Sequence, residues 1–414
     1  MEMDSFKSLF VALVIAGGLI VAAFFIQAQR PAVETEQPSA ELVKATGKCA
    51  ACHRRETPAI VAEFERSAHV EAGTNCLDCH RPQDGQESFD HRGFTLATAL
   101  TSKNCSQCHA EENRQFLRSR HGAPAWAAVR GSTAFTDEQI AFAEKFHEGA
   151  VARPANRLAQ LEGEAATQVG CEGCHDIGKP NPDGSIGSCT QCHGRHRASL
   201  ELAREPRTCG QCHMGPDHAQ IEIFEESKHG VLFETNEDEF NMDADPENLT
   251  VSDMPSPTCT TCHMSGQGGL AVTHNVSKRL SWYLFAPVSE KRPNYAENQA
   301  EMKRACNNCH TSEHTNEYFD DAERVVRATN EKVRRYMSIV DTLRAEGHLT
   351  PTPFDEPLEF KIFDYWHYYG RTAKHGAFMG GADYVQWHGN YELLARFVEL
   401  QEKAKEIRSH GGDE

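Results

Sequence analysis

The chain has 414 residues and a formal net charge of −18, from 60 acidic residues against 42 lysines and arginines. That acidity argues against nucleic acid as a partner and favours small neutral or cationic ones. Only 39% of the residues are apolar, so a compact fold of this length needs core material other than side chains.

Lys7 precedes an unbroken apolar run from Leu9 to Ile26, LFVALVIAGGLIVAAFFI. The run is longer than a usual signal segment and just long enough to span a bilayer. Residues 1–28 therefore predict an export signal retained as an inner-membrane anchor, or a soluble exported protein if cleavage occurs at Val21-Ala22-Ala23. A linker over residues 29–44, containing Pro31 and Pro38, follows.

All 16 cysteines then fall into eight Cys-x-x-Cys-His pentads. In chain order the first four are Cys49, Cys52 and His53; Cys76, Cys79 and His80; Cys105, Cys108 and His109; and Cys171, Cys174 and His175. The last four are Cys189, Cys192 and His193; Cys209, Cys212 and His213; Cys259, Cys262 and His263; and Cys306, Cys309 and His310. Two thiols at this spacing can form thioethers to both vinyl groups of one haem, and the next histidine reaches the iron. A single such motif could be a redox dithiol or zinc knuckle; eight, with no cysteine left over, predict eight covalently bound haem c groups. Thioether attachment takes place outside the cytoplasm, which predicts a periplasmic location. Bound haems with ionised propionates make the molecule still more acidic, each by roughly −1 when ferric and −2 when ferrous. The predicted fold is mostly α: short helices and loops packed around haems over residues 45–318, then a C-terminal long-helix subdomain over 319–410.

An electron-transfer haem takes two strong axial ligands, whereas a catalytic one keeps a position open. Of the 22 histidines, eight close pentads and 14 are left. Seven of these have ligand-like settings: His69, His91, His121, His196, His229, His274 and His314. Three share the pattern Phe-x-x-Ser-x-His, in FERSAH (64–69), FLRSRH (116–121) and FEESKH (224–229), which predicts a ligand-bearing helix with Phe and Ser on one face. Seven distal ligands for eight haems leave one open iron. The acidic run from Asn236 to Asn248 reads as a solvated loop or a docking site for a basic electron carrier.

Beyond Cys309, Val326, Val333, Met337 and Val340 form a helical stripe within Asp320–Glu346, closed by Gly347 and the prolines at 351 and 353. Two further helical stretches, roughly Glu359–Ala377 and Tyr384–Arg408, are joined at Gly380-Gly381. This tail carries no pentad and is expected to cover the haem array, to mediate oligomerisation, or both.

Three stretches, CHMGPDHAQIEIFEESKHG (212–230), THNVSKRLSWYLFAPVSE (273–290) and HGAFMGGADYVQWHGNYE (375–392), together with eight pentads in this order, resemble the octahaem hydroxylamine oxidoreductase family over roughly residues 45–400. The resemblance implies a catalytic fourth haem, attached at Cys171 and Cys174 with His175 as proximal ligand. It places the family's pocket acid–imidazole pair on Asp217 and His218. Oxidising hydroxylamine removes protons along with electrons, and such a pair is a suitable acceptor near neutral pH. His218 could instead be one more axial ligand. The resemblance further implies a homotrimer and, in oxidative members, a tyrosine from a neighbouring subunit bonded to the catalytic haem. Tyr384 is the first choice here, with Tyr365, Tyr368 and Tyr369 the others in that region. The expected reaction is oxidation of hydroxylamine to nitric oxide or nitrite, with electrons leaving to a cytochrome c or a quinone-linked acceptor. Reduction of nitrite or hydroxylamine, hydrazine oxidation and a non-catalytic electron conduit are the competing readings.

Overall fold

A computed structural model describes residues 46–410. The Leu9–Ile26 run and the linker after it lie outside the described residues. No helix among the described residues is long and apolar enough to cross a membrane.

The described chain is mostly helical, with one two-stranded sheet. Up to Cys306 the helices are short, and several owe their start to a cap placed just before a pentad. The Asn75 side chain accepts from the Leu77 amide at 2.9 Å while Asp78 accepts from the Asn75 amide at 2.8 Å. This capping box makes Cys76–His80 a single helical turn. Thr258 and Thr261 start Cys259–His263 in the same way. The first and third pentads are built differently. Cys49, Cys52 and His53 lie inside the longer helix Gly47–Glu56. At the third, the helix Ser102–Ser106 ends before Cys108. Its turn is completed by the Cys108 and His109 amides, which both donate to the Cys105 carbonyl, at 3.2 and 2.9 Å.

The sheet consists of β1 (Ser88–His91) and β2 (Phe94–Ala97), paired antiparallel with His91 opposite Phe94. Arg92 (φ 55°) and Gly93 (φ 83°) form the two-residue turn, both left-handed as a twist-matched hairpin requires. The hairpin ends β1 on His91.

The Phe-x-x-Ser-x-His segments fold differently from the expected single helix. In each, the chain breaks at the serine, whose hydroxyl donates to the phenylalanine carbonyl: Ser67 to Phe64 at 2.8 Å, Ser119 to Phe116 at 2.7 Å and Ser227 to Phe224 at 2.7 Å. Serine competes well with the helical backbone for its own carbonyls, and at Ser227 it also caps the next helix. After the second corner the chain enters α1 (Ala123–Arg130). At the third, α2 (Gln220–Glu226) ends and α3 (Lys228–Thr235) begins, its Gly230 amide donating to Ser227 at 3.1 Å. A β-carbon on Gly230 would lie 1.9 Å from the Phe224 carbonyl oxygen, so the residue after His229 has to be glycine.

The tail begins with α4 (Ser312–Ala345), 34 residues long, which passes through residue 318 without a break. Val326, Val333 and Val340 of the predicted stripe are buried and Met337 is half-buried. α5 (Pro357–Asp364) continues through a π-helical turn, Tyr365–Gly370, into α6 (Arg371–Met379). Gly380, left-handed at φ 79°, stops it. α7 (Glu392–His410) closes the chain. Val333, Tyr336, Val340 and Leu343 of α4 pack with Leu358, Tyr365, Leu393 and Leu400 into one core, each burial stabilising by roughly 1.5–3 kcal/mol.

Candidate functional site

An iron held by two opposed imidazoles at roughly 2 Å each leaves ring centres roughly 6 Å apart. Six proximal histidines face a second histidine at this spacing. His53 faces His91 at 6.1 Å, His80 faces His196 at 6.5 Å, and His109 faces His69 at 6.1 Å. His193 faces His274 at 6.2 Å, His213 faces His121 at 5.9 Å, and His310 faces His229 at 6.1 Å. Paired imidazoles beside paired thiols fit haem c in both donor chemistry and spacing. His314 is placed otherwise. It sits in the first turn of α4, four residues after His310, and its ring centre is 4.9 Å from that of His310, too close to hold an iron between them.

Among the described residues no second imidazole stacks opposite His175 or His263. Around His263 stand the buried Arg279 guanidinium and the Val276 backbone. Around His175 stand Asp217 and His218. The His175 Nδ1 lies 2.6 Å from the Ala125 carbonyl of α1, a contact that fixes the ring and leaves Nε2 for iron.

The pentads also lie near one another in a definite order. Cys49 neighbours Cys76, Cys79 neighbours both Cys105 and Cys108, and Cys105 neighbours Cys189. Cys192 neighbours Cys209, and Cys212 neighbours Cys174. Cys209 neighbours Cys259, and Cys262 neighbours Cys306. The attachment sites therefore run first, second, third, fifth, sixth; the fourth and seventh branch from the sixth, and the eighth follows the seventh. All 16 thiols are free of disulfides. They are not equally sheltered. Cys52, in the first site at the end of the row, is half-buried, whereas Cys108, Cys192 and Cys309 are exposed.

The loop between His213 and α2 carries the acid–imidazole pair. It is pinned near its start: the Gly215 amide donates to Glu222 at 2.7 Å, and the Thr372 hydroxyl of α6 donates to the Pro216 carbonyl at 3.1 Å. The Asp217 Oδ2 is 2.6 Å from the His218 Nδ1. The same oxygen lies 3.7 Å from the His367 Nδ1 and 3.8 Å from the Arg371 guanidinium. Burial pushes the Asp217 carboxyl up, but the His218 hydrogen bond and the charges of His218, His367 and Arg371 outweigh it and hold the group below the usual carboxylate range.

His367, Arg371, Lys374 and His375 were not anticipated from the sequence. Their spacing of four, three and one residues puts basic groups on one face of an otherwise aromatic helix, which was a readable signal. Arg371 donates to the Phe285 carbonyl at 3.0 Å, and the fully buried Lys374 donates to the Ala286 carbonyl and the Ser289 hydroxyl, both at 2.8 Å. These bonds clamp the 285–289 loop so that the Phe285 ring sits 5.2 Å from His218 and 4.7 Å from His375. Burial, with Arg371 nearby, pushes the Lys374 ammonium down to about 7.

Tyr384 stacks on His388 at 4.8 Å near Glu226, Glu222 and Glu225 and is not among the groups around Asp217 within the chain. Tyr365 is buried against Tyr336 at 3.7 Å, and Tyr369 lies beneath Arg396 at 5.7 Å. Tyr368 is near Asp217.

The family model for a cytochrome with seven multihaem CxxCH motifs matches residues 72–357. A probable nitrite reductase–hydroxylamine oxidoreductase fusion protein of Kuenenia stuttgartiensis is 26% identical over 365 residues, covering 75% of this chain and 39% of the relative. The chain thus spans well under half the length of that relative. Among solved structures, a hypothetical multiheme protein superposes with a TM-score of 0.77 at 20% identity, over 92% of this chain and 99% of the other. A reducing HAO-like protein complex of K. stuttgartiensis superposes with a TM-score of 0.67 at 21% identity, over 91% and 87%.

Proposed function

We propose a function for this chain from one premise: it belongs to the multihaem cytochrome CxxCH family and carries covalently bound haem c. It is a redox protein of the hydroxylamine oxidoreductase-like class, and eight pentads give eight haems per chain. Both thiols of every pentad take part, the half-buried Cys52 and the exposed Cys108 included. The reaction is oxidation of hydroxylamine to nitric oxide or nitrite at the fourth attachment site, Cys171–His175. The observation that carries this reading is the Asp217–His218 pair beside His175, a histidine that no second imidazole opposes among the described residues.

The haem on His175 would supply an open coordination position for the substrate nitrogen and an acceptor for its electrons. The Ala125 carbonyl orients His175 and makes its imidazole a stronger donor. His218, with Nδ1 turned to Asp217, presents Nε2 to the proton that leaves with each electron. Asp217, held ionised, fixes that tautomer and stabilises the imidazolium once formed. The neighbouring pentads at Cys174 and Cys212 support an exit from the fourth haem to the sixth, and from there along both branches to a cytochrome c or quinone-linked acceptor. The periplasm, an N-terminal membrane anchor, a homotrimer and a Tyr384 bond to the neighbouring subunit's fourth haem belong to this same reading.

A second reading, reduction of nitrite or hydroxylamine, draws its support from the 26%-identical relative, whose name joins a nitrite reductase to a hydroxylamine oxidoreductase. Assay of the purified protein in both directions separates the readings, combined with the optical spectrum of the reduced form and electrophoresis of the denatured protein. Oxidative turnover, a red-shifted ferrous band and covalently linked subunits are expected. Separate monomers with ordinary c-type absorbance and reductive turnover would establish the second reading. All eight irons low-spin by magnetic circular dichroism would leave only a conduit.

A further inference from the structure

The Asp217 carboxylate is shared. Its Oδ2 meets the Nδ1 of His218 at 2.6 Å and, on the other side, the Nδ1 of His367 at 3.7 Å. That second nitrogen is buried and makes no hydrogen bond, a state that in a folded protein calls for a reason. The ring is held for this position. It follows Asp364 by three residues inside the π-helical turn Tyr365–Gly370, which turns it off the regular helix face. It stacks on Phe363 with ring centres 4.1 Å apart and meets Trp366 edge-on at 5.0 Å.

Resting on the reading of Asp217 and His218 given above, we propose that His367 is a second proton-transfer residue of this site. It would receive through Asp217 the proton that His218 takes from the substrate. In the first hop an N–H bond of the His218 imidazolium breaks at Nδ1 and an O–H bond forms on Asp217 Oδ2. In the second that O–H bond breaks and an N–H bond forms on His367 Nδ1. His218 is left neutral with the substrate's proton on Nε2, its ring turns over to offer the bare nitrogen to the next proton, Asp217 is again ionised, and no electron moves. A distance of 3.7 Å closes with a small rotation of either side chain, as catalytic contacts do when substrate enters.

The surrounding charges fit this order. His367 is faced by Asp217 and His218 from the loop and by Arg371 from α6, while Tyr368 lies near Asp217 and also near Asp364 and Glu162. Burial and Arg371 keep His367 neutral at neutral pH, ready to accept and unable to retain a proton. Arg371, bonded to the Phe285 carbonyl, keeps the carboxylate between the two rings.

The test compares His367→Gln and His367→Asn with Asp217→Asn in the full-length, haem-loaded protein, with hydroxylamine as substrate. Turnover of both His367 variants should fall by about 10²-fold with KM unchanged. The solvent deuterium isotope effect on kcat should rise, and the spin-state count should stay at its parental value. Proton exchange followed by indicator dye after rapid mixing should slow in step. Parental kcat, isotope effect and proton exchange in either folded His367 variant, with Asp217→Asn impaired, would overturn this inference alone. An unimpaired Asp217→Asn would overturn the reading on which it rests.

Discussion

Residues 47–310 carry every pentad and bury only two modest side-chain clusters, the larger around Trp126, Phe135 and Val151. Residues 312–410 carry none and gather Tyr336, Leu343, Tyr365, Leu393 and their neighbours into a single core. One half thus leaves much of its interior to its covalently bound haem c, the other relies on ordinary apolar packing. The Asp217 pocket lies on the seam. Its loop comes from the first half, and the residues flanking the carboxylate, His367 and Arg371, come from the second. The tail therefore contributes residues to the candidate site.

The largest expected effect lies at that seam. Asp217→Asn removes the charge that orients His218 but keeps the side chain's size, so turnover should fall ~10²–10⁴-fold. Haem content and spin states, measured by absorbance and magnetic circular dichroism, should not change. Loss of a low-spin signal would instead make Asp217 a prop for an axial ligand.

The halves should also respond to different lesions. Leu343→Ala hollows the tail's core at a fully buried position and should cost about 2–5 kcal/mol in denaturant unfolding, with every low-spin signal intact. His229→Ala should do the reverse, turning the haem on His310 high-spin while the tail keeps its stability. Equal spectral damage from both would show that the two interiors are one cooperative unit.

A smaller effect separates the halves by pH. His147, buried in the first half with Nε2 2.9 Å from the Arg118 carbonyl, is pushed by burial down to about 4. Its ordinary value is about 6.5, so between these limits the unfolded chain binds a proton that the folded one refuses. Above that window the group contributes nothing to the pH dependence. As pH falls through it, the fold loses stability, by about 3 kcal/mol at most. His147→Gln should flatten this part of the unfolding-versus-pH curve; an unchanged slope would assign the acid sensitivity to other groups.

The sequence was most informative where chemistry demands particular residues at fixed spacing. The pentads, six histidines that come to face them, and the stripe of Val326, Val333 and Val340 could all be read directly. What the spacing could not show is how each pentad is built: Cys52 lies within a helix and Cys108 just past the end of one, though their motifs are identical. The Phe-x-x-Ser-x-His segments stood out as carriers of a histidine but not as corners, because a pattern of spacings cannot show a serine leaving the helix to bond its own carbonyl. The placing of His314 was hidden for a related reason: it comes four residues after a pentad histidine, and the turn that opens α4 holds it against that histidine, not opposite it. His367 and Arg371 depend on contacts across about 150 residues, and one strand of sequence records no such meeting.

The smallest predicted effect concerns those corners. Ser227 is buried, bonds the Phe224 carbonyl at 2.7 Å and receives the Gly230 amide at 3.1 Å, so it both closes α2 and caps α3. Ser119 likewise bonds Phe116 and receives the His121 amide at 3.1 Å. Ser67 makes only the first kind of bond, to Phe64, and no side-chain cap. Ser227→Ala should cost about 1 kcal/mol, the usual worth of a lost cap, Ser119→Ala about as much for its two lost hydrogen bonds, and Ser67→Ala less. Because the corner aims the histidine two residues on, the first two changes should also perturb the low-spin signals of the haems on His310 and His213. The Ser67 change should leave that of His109 nearly as it was. Thermal unfolding combined with low-temperature magnetic resonance measures both effects. Equal costs at all three positions would mean that the serine-to-carbonyl bond, rather than the cap, sets the corner.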